Sequence, residues 1–190
     1  MSAPPARGND RSDLRFGVEL SWSGTGRGGG GEIRTDDLVL ALSGPESMGG
    51  RGVGTNPEEL LVCAVASCYT ATLFALLRRA QLPADSLAVG AIGTVTGFPG
   101  HARFARIVVS PTIVGGDTAR RGEYEAAANV AHERCFIGHA LAPEVAYQVG
   151  SVQVRDGALA TGSEHALPAP AQDGLARGDA DEPSRAAGAG

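Results

Sequence analysis

The stretch that decides the fold is Asn56 to Leu77, NPEELLVCAVASCYTATLFALL. Its start is well marked, because Asn56 is a favoured N-cap and Pro57 suits the first helical position. Glu59 stands where the acid of a capping box reaches back to the N-cap. Two arginines follow the stretch directly, where positive charge complements the helix dipole. The sequence therefore predicts one long helix that is apolar on nearly every face.

A membrane span is the first alternative for this helix. Residues 60–77 carry no charge and approach the minimum length that crosses a bilayer. Ser67, Thr70 and Thr72 interrupt the run, and two glutamates precede it. The pattern favours the buried central helix of a soluble protein.

Composition narrows the function classes. With 190 residues, of which 43% are hydrophobic, the chain is long enough for one domain with a real core. A net charge of -5 with scattered Lys and Arg argues against a nucleic-acid surface. The three cysteines are an odd number and no apolar leader precedes them, so we expect a cytoplasmic protein without structural disulfides.

The chain divides into a domain and two tails. Residues 1–13 are small, polar and proline-bearing, which predicts a disordered N-terminal tail. Residues 156–190 are rich in Ala, Gly, Pro and Asp and have few large apolar side chains, so we expect a second disordered tail. The folded domain is predicted to cover residues 14–155.

Five further segments have the alternation of half-buried strands, and one more has the pattern of a helix. The strand segments are 14–22, 32–42, 86–97, 102–114 and 144–154, and the helix follows an Asp117 N-cap over residues 118–136. The order of two strands, helix, two strands, helix and strand predicts an α+β domain with helices packed on an antiparallel sheet.

Two motifs suggest chemistry that their surroundings do not favour. Gly24, Gly26 and Gly29 match G-x-G-x-x-G, but a strand follows them where a dinucleotide site needs a helix, so we expect a flexible hairpin.

The second motif has zinc-ligand residue types. His132, Cys135 and His139, with Cys68, could bind zinc if the second helix continued through them. Gly138 interrupts that helix and no C-x-x-C accompanies the set, so we assign no metal.

The thiols themselves leave two interpretations open. From composition alone, all three cysteines are most simply buried packing residues. Alternatively, Cys68 and Cys135 form a redox pair. Since the thiolate is the reactive form, a thiol in apolar surroundings needs a cation, and Arg27 oriented by Glu58 is the candidate.

The position of Glu58 adds a geometric constraint. Glu58 and Cys68 are ten residues apart on one helix, which separates them by about 15 Å. If two copies of the helix pack antiparallel about a twofold axis, Glu58 of one chain can approach Cys68 of the other. We therefore predict a homodimer.

Three segments together resemble a known family. GTGRGGGG, GTNPEELLVCAVASCY and AHERCFIGHAL are similar in content and spacing to the OsmC/Ohr superfamily of osmotically induced and organic hydroperoxide resistance proteins, over about Leu20 to Val154. The resemblance implies an intertwined α+β dimer with antiparallel sheets packed around central helices and with two sites at its interface.

The same resemblance implies a cofactor-free peroxidase acting on organic hydroperoxides. Cys68 matches the peroxidatic cysteine and Cys135 the resolving cysteine, with which it forms a disulfide. Arg27 and Glu58 match the pair that activates the first thiol. The implied partners are the hydroperoxide, an external dithiol of lipoyl or thioredoxin type and a second copy of the chain, with neither nucleic acid nor membrane.

Two departures from the family pattern stand out. Phe136 follows the second cysteine where the Ohr branch usually has proline, and Cys63, about 140° around the helix from Cys68, matches no family role. The first departure indicates a less familiar branch of the family and leaves the substrate range and the reductant open, and Cys63 is expected to be structural. The alternative function is a redox-responsive or ligand-binding dimer without significant turnover.

Overall fold

The computed structural model describes residues 14–156. The predicted tails, 1–13 and 156–190, lie outside this range except for Asp156. The described part contains three α-helices and seven strands, which confirms the α+β class. The helices are α1 (Pro57–Arg79), α2 (Arg121–Arg134) and α3 (Phe136–Ala140), and the strands are β1 (Glu19–Ser23), β2 (Gly30–Arg34), β3 (Val39–Ser43), β4 (Ser86–Thr96), β5 (Arg103–Val114), β6 (Ala146–Val149) and β7 (Gln153–Arg155).

Helix α1 begins as its sequence predicts. The Asn56 side chain accepts a hydrogen bond from the Glu59 backbone N–H at 2.8 Å, and Pro57 occupies the first turn. The Glu59 carboxylate differs from a capping box, because it accepts from the Thr55 hydroxyl at 3.0 Å. Two hydrogen bonds to Glu59, one with Asn56 and one with Thr55, therefore fix the start of the helix.

The buried face of α1 repeats every fourth residue, at Val65, Tyr69, Leu73 and Leu77. This spacing places all four on one stripe, which joins the main hydrophobic core. By length and composition α1 could also cross a membrane. Within the chain, only 22% of its most apolar window is buried. Much of an apolar helix is therefore exposed in a single protomer.

The C-terminal sheet supplies the other half of the core. β4 and β5 pair antiparallel along nearly their whole length, and alternate residues of β5, Ile107, Val109 and Ile113, are buried beneath the helices. The last predicted strand is two strands, β6 and β7, and both run parallel to β5. The sheet is therefore mixed, not wholly antiparallel.

The N-terminal sheet is an antiparallel meander of β1, β2 and β3. The predicted strand 32–42 is two strands, because the chain turns back where the Thr35 N–H donates to the Leu38 carbonyl at 2.9 Å. The glycine-rich segment joins β1 to β2, and Gly24 and Gly26 have positive φ angles that side chains rarely adopt. The G-x-G-x-x-G match therefore lies in a hairpin, as expected.

Candidate active site

The fold brings Cys68 and Cys135 together. Cys68 lies in the middle of α1 and is half-buried, and Cys135 lies between α2 and α3 and has no exposed surface. The two thiols are free, and Cys68 lies near enough to Cys135 to influence the pKa of its thiol. Cys68 therefore keeps some exposed surface, whereas Cys135 lies wholly within the core.

Cys135 occupies a break in the helical chain. Its backbone is extended, with φ -72° and ψ 97°, so it ends α2 and begins α3. Its sulfur accepts a hydrogen bond from the Gly138 N–H at 3.4 Å and faces the Val65 carbonyl at 3.8 Å. The Val65 contact holds the thiol against α1, and the Gly138 contact holds it at the start of α3.

Burial raises the pKa of the Cys135 thiol, and its interaction with Cys68 raises that pKa further. The hydrogen bond from the Gly138 N–H and the nearby hydroxyl of Tyr147 act in the opposite direction. Because burial is the largest effect, Cys135 stays a neutral thiol in the reduced protein.

Two tyrosines, Tyr69 and Tyr147, lie beside the thiol pair, and neither was predicted from the sequence. Tyr69 adjoins Cys68 on the buried face of α1 and donates to the Ala128 carbonyl at 3.3 Å. Tyr147 on β6 faces Cys135, and the His132 ring packs on it with ring centroids 4.5 Å apart. A single aromatic residue in a predicted strand gives no signal of such a contact.

Among the described residues, neither Glu58 nor Arg27 forms a hydrogen bond with Cys68 or Cys135. Glu58 is in the first turn of α1, and one of its carboxylate oxygens is buried without a hydrogen-bond partner among the described residues. Arg27 belongs to a 3-10 turn in the β1–β2 hairpin, where its guanidinium lies across the backbone of Gly49. Within residues 14–156 the two side chains form no ion pair with each other.

An apolar groove of about 650 Å³ runs between the N-terminal half of α1 and strand β4. Its lining includes Glu58, Val62, Cys63, Val95 and Phe104. The groove therefore places a carboxylate and an exposed thiol beside an apolar wall.

The two histidines that could have bound zinc, His132 and His139, are each hydrogen-bonded to a backbone carbonyl. His132 Nε2 donates to the Tyr147 carbonyl at 2.9 Å, and His139 Nε2 donates to the Glu133 carbonyl. No group of three metal-ligating side chains occurs in the part of the chain that the structure describes. The helix also breaks at Cys135, and Gly138 and His139 both lie inside α3.

Comparisons with known proteins identify a family and a relative. The model of the OsmC-like protein family matches residues 49–149. An uncharacterized Bacillus subtilis protein, YmaD, is 30% identical over 141 residues, which cover 73% of this chain and 93% of YmaD.

Two solved structures show the same fold. The organic hydroperoxide resistance protein OsmC of Legionella pneumophila has a TM-score of 0.60 at 24% identity, covering 75% of this chain and all of that one. OhrB of Bacillus subtilis has a TM-score of 0.55 at 19% identity, covering 73% of this chain and 98% of that one.

Proposed function

The chain belongs to the OsmC-like protein family, and on that premise we propose that it is a thiol-dependent peroxidase that reduces organic hydroperoxides. The observation that supports this most strongly is the position of Cys68, which is half-buried and lies near the buried thiol of Cys135. Packing alone does not require that an accessible sulfur on one helix meet a second sulfur at a helix break.

The proposed reaction has two steps within the protein. The Cys68 thiolate attacks the distal peroxide oxygen, so that an S–O bond forms, the O–O bond breaks and the alkoxide leaves as an alcohol after taking a proton. Cys68 is then a sulfenic acid. The Cys135 sulfur attacks it, forming the disulfide and releasing water, whose second proton comes from the Cys135 thiol. An external dithiol of lipoyl or thioredoxin type completes the cycle by thiol–disulfide exchange.

In this proposal, Arg27 and Glu58 complete the Cys68 site when two copies of the chain form a dimer. The Arg27 guanidinium stabilises the Cys68 thiolate and the charge that develops in the transition state, and Glu58 orients the guanidinium. Glu58 lies too far along α1 to reach Cys68 of its own helix, so in this proposal it acts on the Cys68 site of a partner chain. We therefore propose a homodimer in which the apolar groove beside Glu58 accommodates the alkyl group of the substrate.

We assign the protein to the cytoplasm, where reductants keep thiols reduced and can regenerate the pair. No cofactor, metal, nucleic acid or membrane takes part in the proposed cycle.

Stopped-flow reaction with tert-butyl hydroperoxide tests the proposal. We expect fast loss of two thiols per chain, an alcohol product and a peptide cross-link between Cys68 and Cys135 by mass mapping. The Cys68→Ser variant should lose the fast phase, whereas Cys63→Ser should keep it. Slow thiol loss in the wild-type protein, equal to that of Cys68→Ser, would contradict a peroxidase.

A second candidate function is a redox-responsive or ligand-binding dimer without significant turnover. The apolar groove favours it, because a cavity of this size can accommodate a small apolar ligand without any redox chemistry. Slow thiol loss together with saturable binding of an apolar fluorescent probe would support this candidate over the enzyme.

A further inference from the structure

The hydroxyl of Tyr147 is buried and has no hydrogen-bond partner of good geometry among the described residues. A buried hydroxyl without a partner destabilises a fold, since it gives up its hydrogen bonds to water and gains none. The hydroxyl contributes nothing to stability that a phenylalanine would not, so its position needs another explanation.

The surroundings of Tyr147 hold its ring firmly in one place. Its carbonyl accepts from His132 at 2.9 Å, and the His132 ring packs against its ring at an interplanar angle of 36°. On the other side Gly138 adjoins the ring so closely that a Cβ at that position would overlap it. The same Gly138 donates its N–H to the Cys135 sulfur, so the buried Tyr147 hydroxyl and the Cys135 thiol lie close to each other.

Cys135 already has one N–H donor, from Gly138 at 3.4 Å. A neutral thiol needs no second donor, whereas a thiolate in a buried site needs every donor it can have. The other titratable groups beside Cys135 are Cys68 and Tyr69 on α1, and the Tyr69 hydroxyl is occupied by the Ala128 carbonyl. Tyr147 is thus the free donor of the site.

We propose that Tyr147 is a further functional residue of the proposed peroxidase, whose hydroxyl donates a hydrogen bond to the Cys135 sulfur whenever that sulfur carries negative charge. The inference rests on the proposed function for its catalytic meaning. Burial raises the pKa of Tyr147 itself, so the phenol stays protonated and acts only as a donor.

Charge develops on Cys135 at two points of the cycle. During closure, the Cys135 thiol loses its proton as its sulfur bonds to the Cys68 sulfur, and hydroxide leaves Cys68 and takes that proton to become water. During recycling, the thiolate of the external dithiol attacks the Cys68 sulfur, the disulfide breaks and Cys135 leaves as a thiolate. The same hydrogen bond lowers the barrier to both steps.

The first test compares Tyr147→Phe with Tyr69→Phe as a matched control, both in a Cys63→Ser background. We expect Tyr147→Phe to leave Cys68 oxidation unchanged, to slow disulfide closure about tenfold and to accumulate a sulfenic acid that dimedone traps. Its thermal stability should be equal to or above that of the parent. Tyr69→Phe should lower thermal stability, because it removes the buried hydrogen bond from Tyr69 to the Ala128 carbonyl, and should keep closure fast.

The second test needs no peroxide chemistry. In a Cys63→Ser/Cys68→Ser protein, carbon-13 NMR of the labelled Cys135 Cβ reports the thiol titration directly. Adding Tyr147→Phe should lower the acid dissociation constant of Cys135 about tenfold, and adding Tyr69→Phe should change it far less.

The outcomes separate the two proposals. Unreactive wild-type protein would overturn the peroxidase but leave the titration to decide whether Tyr147 stabilises the Cys135 anion. An unchanged titration, or closure as fast in Tyr147→Phe as in the parent, would overturn the role of Tyr147.

Discussion

Cys135 is wholly buried, Cys68 is half-buried and Cys63 is exposed. Exposure governs which sulfur an oxidant meets, and contact governs which sulfurs can pair. Cys63 is the most accessible thiol, but it lies on the groove side of α1, about 140° around the helix from Cys68. Its reaction with an oxidant therefore cannot close a bridge to Cys68 while α1 stays helical.

The pairing of the thiols gives the first prediction. Cys135→Ser should retain oxidation of Cys68 by an alkyl hydroperoxide and should form no disulfide within the chain, since the buried second sulfur is gone. Cys63→Ser is the matched control and should still close the bridge. Non-reducing electrophoresis and peptide mapping measure both. A bridge from Cys68 to Cys63 in the Cys135→Ser protein would show that α1 unwinds and that the resolving residue is misassigned.

The raised pKa of Cys135 gives a second prediction, on the stability of the reduced protein. Below the ordinary thiol pKa of about 8.5, Cys135 is protonated in both the folded and the unfolded chain, and its full contribution to stability is present. Above it, only the unfolded chain ionises, because burial raises the pKa of Cys135 in the fold. The free energy of unfolding should therefore fall as the pH rises, until the folded pKa is passed.

Urea titrations between pH 7 and about pH 9.5, below the ordinary pKa of tyrosine, measure this fall. The decline should be shallower in Cys135→Ser than in the wild type. Parallel declines in the two proteins would show that Cys135 ionises equally readily in the folded and the unfolded state.

At the scale of elements, local chemistry made α1 predictable. Its cap, its first proline and its apolar run act within a few residues of each other, and the structure has them as expected. Residues 32–42, predicted as one strand, belong to two strands joined by a turn. The sequence has a local signal for this turn, because Asp36 and Asp37 interrupt the apolar run.

The direction of β6 and β7 had no such signal. Both strands run parallel to β5, and their partner is chosen by the way α2 and α3 return the chain to the sheet. The contact between Tyr147 and Cys135 depends on that return, so it could not be read from either segment alone. The two cysteines lie in segments that match a family pattern in the sequence. The position of Tyr147 beside Cys135, in contrast, follows only from the tertiary structure.

Two helical glycines give an element-scale prediction with a built-in control. A Cβ at Gly138 in α3 would overlap the Tyr147 ring, whereas a Cβ at Gly122 in α2 would meet nothing within 4 Å. Gly138→Ala should therefore displace Tyr147, destabilise the protein by about 1 to 3 kcal/mol and slow disulfide closure. Gly122→Ala should be neutral or stabilising by up to about 1 kcal/mol.

Chemical denaturation and single-turnover closure rates measure both variants. Equal stabilities for the two alanine variants would mean that the Tyr147 ring moves aside at no cost, which would contradict its fixed placement.

At the scale of the whole molecule, a single protomer leaves three apolar or unpaired surfaces. The exposed stripe of α1 consists of small residues with one aromatic: Cys63, Ala64, Ser67, Ala71, Phe74 and Ala75. On the N-terminal sheet, Leu20 and Trp22 are 57% and 47% exposed on one face. Strand β4 pairs only with β5 among the described strands, so its outer edge is open. A second copy of the chain can cover all three surfaces.

The stripe of α1 gives a prediction on assembly. Small side chains let two helices approach closely, so Ala71→Arg should place charge and bulk inside the interface and leave a protein with the mass of one 19.3 kDa chain. Ala126→Arg is the matched control, because Ala126 is an exposed alanine on α2, away from the stripe. Light scattering after gel filtration should report a dimer for the wild type and for Ala126→Arg. A dimer that survives Ala71→Arg would mean that α1 is not the interface.

The last prediction concerns which chain supplies Glu58 to each Cys68. Two differently tagged chains can be co-expressed, one carrying Cys68→Ser and the other Glu58→Gln, and the mixed dimer isolated by both tags. If Glu58 acts across the interface, one site of this mixed dimer keeps both groups, and the peroxidase rate should be about half that of the wild type. If Glu58 acts within its own chain, both sites are damaged and the rate should be close to zero. The reciprocal dimer, with both substitutions on one chain and a wild-type partner, should reverse the result: it is impaired when Glu58 acts across the interface and half-active when it does not. The two mixed dimers contain the same substitutions in the same number, so a general loss of stability affects both equally. A difference between their peroxidase rates therefore shows whether Glu58 acts on its own chain or on the partner chain.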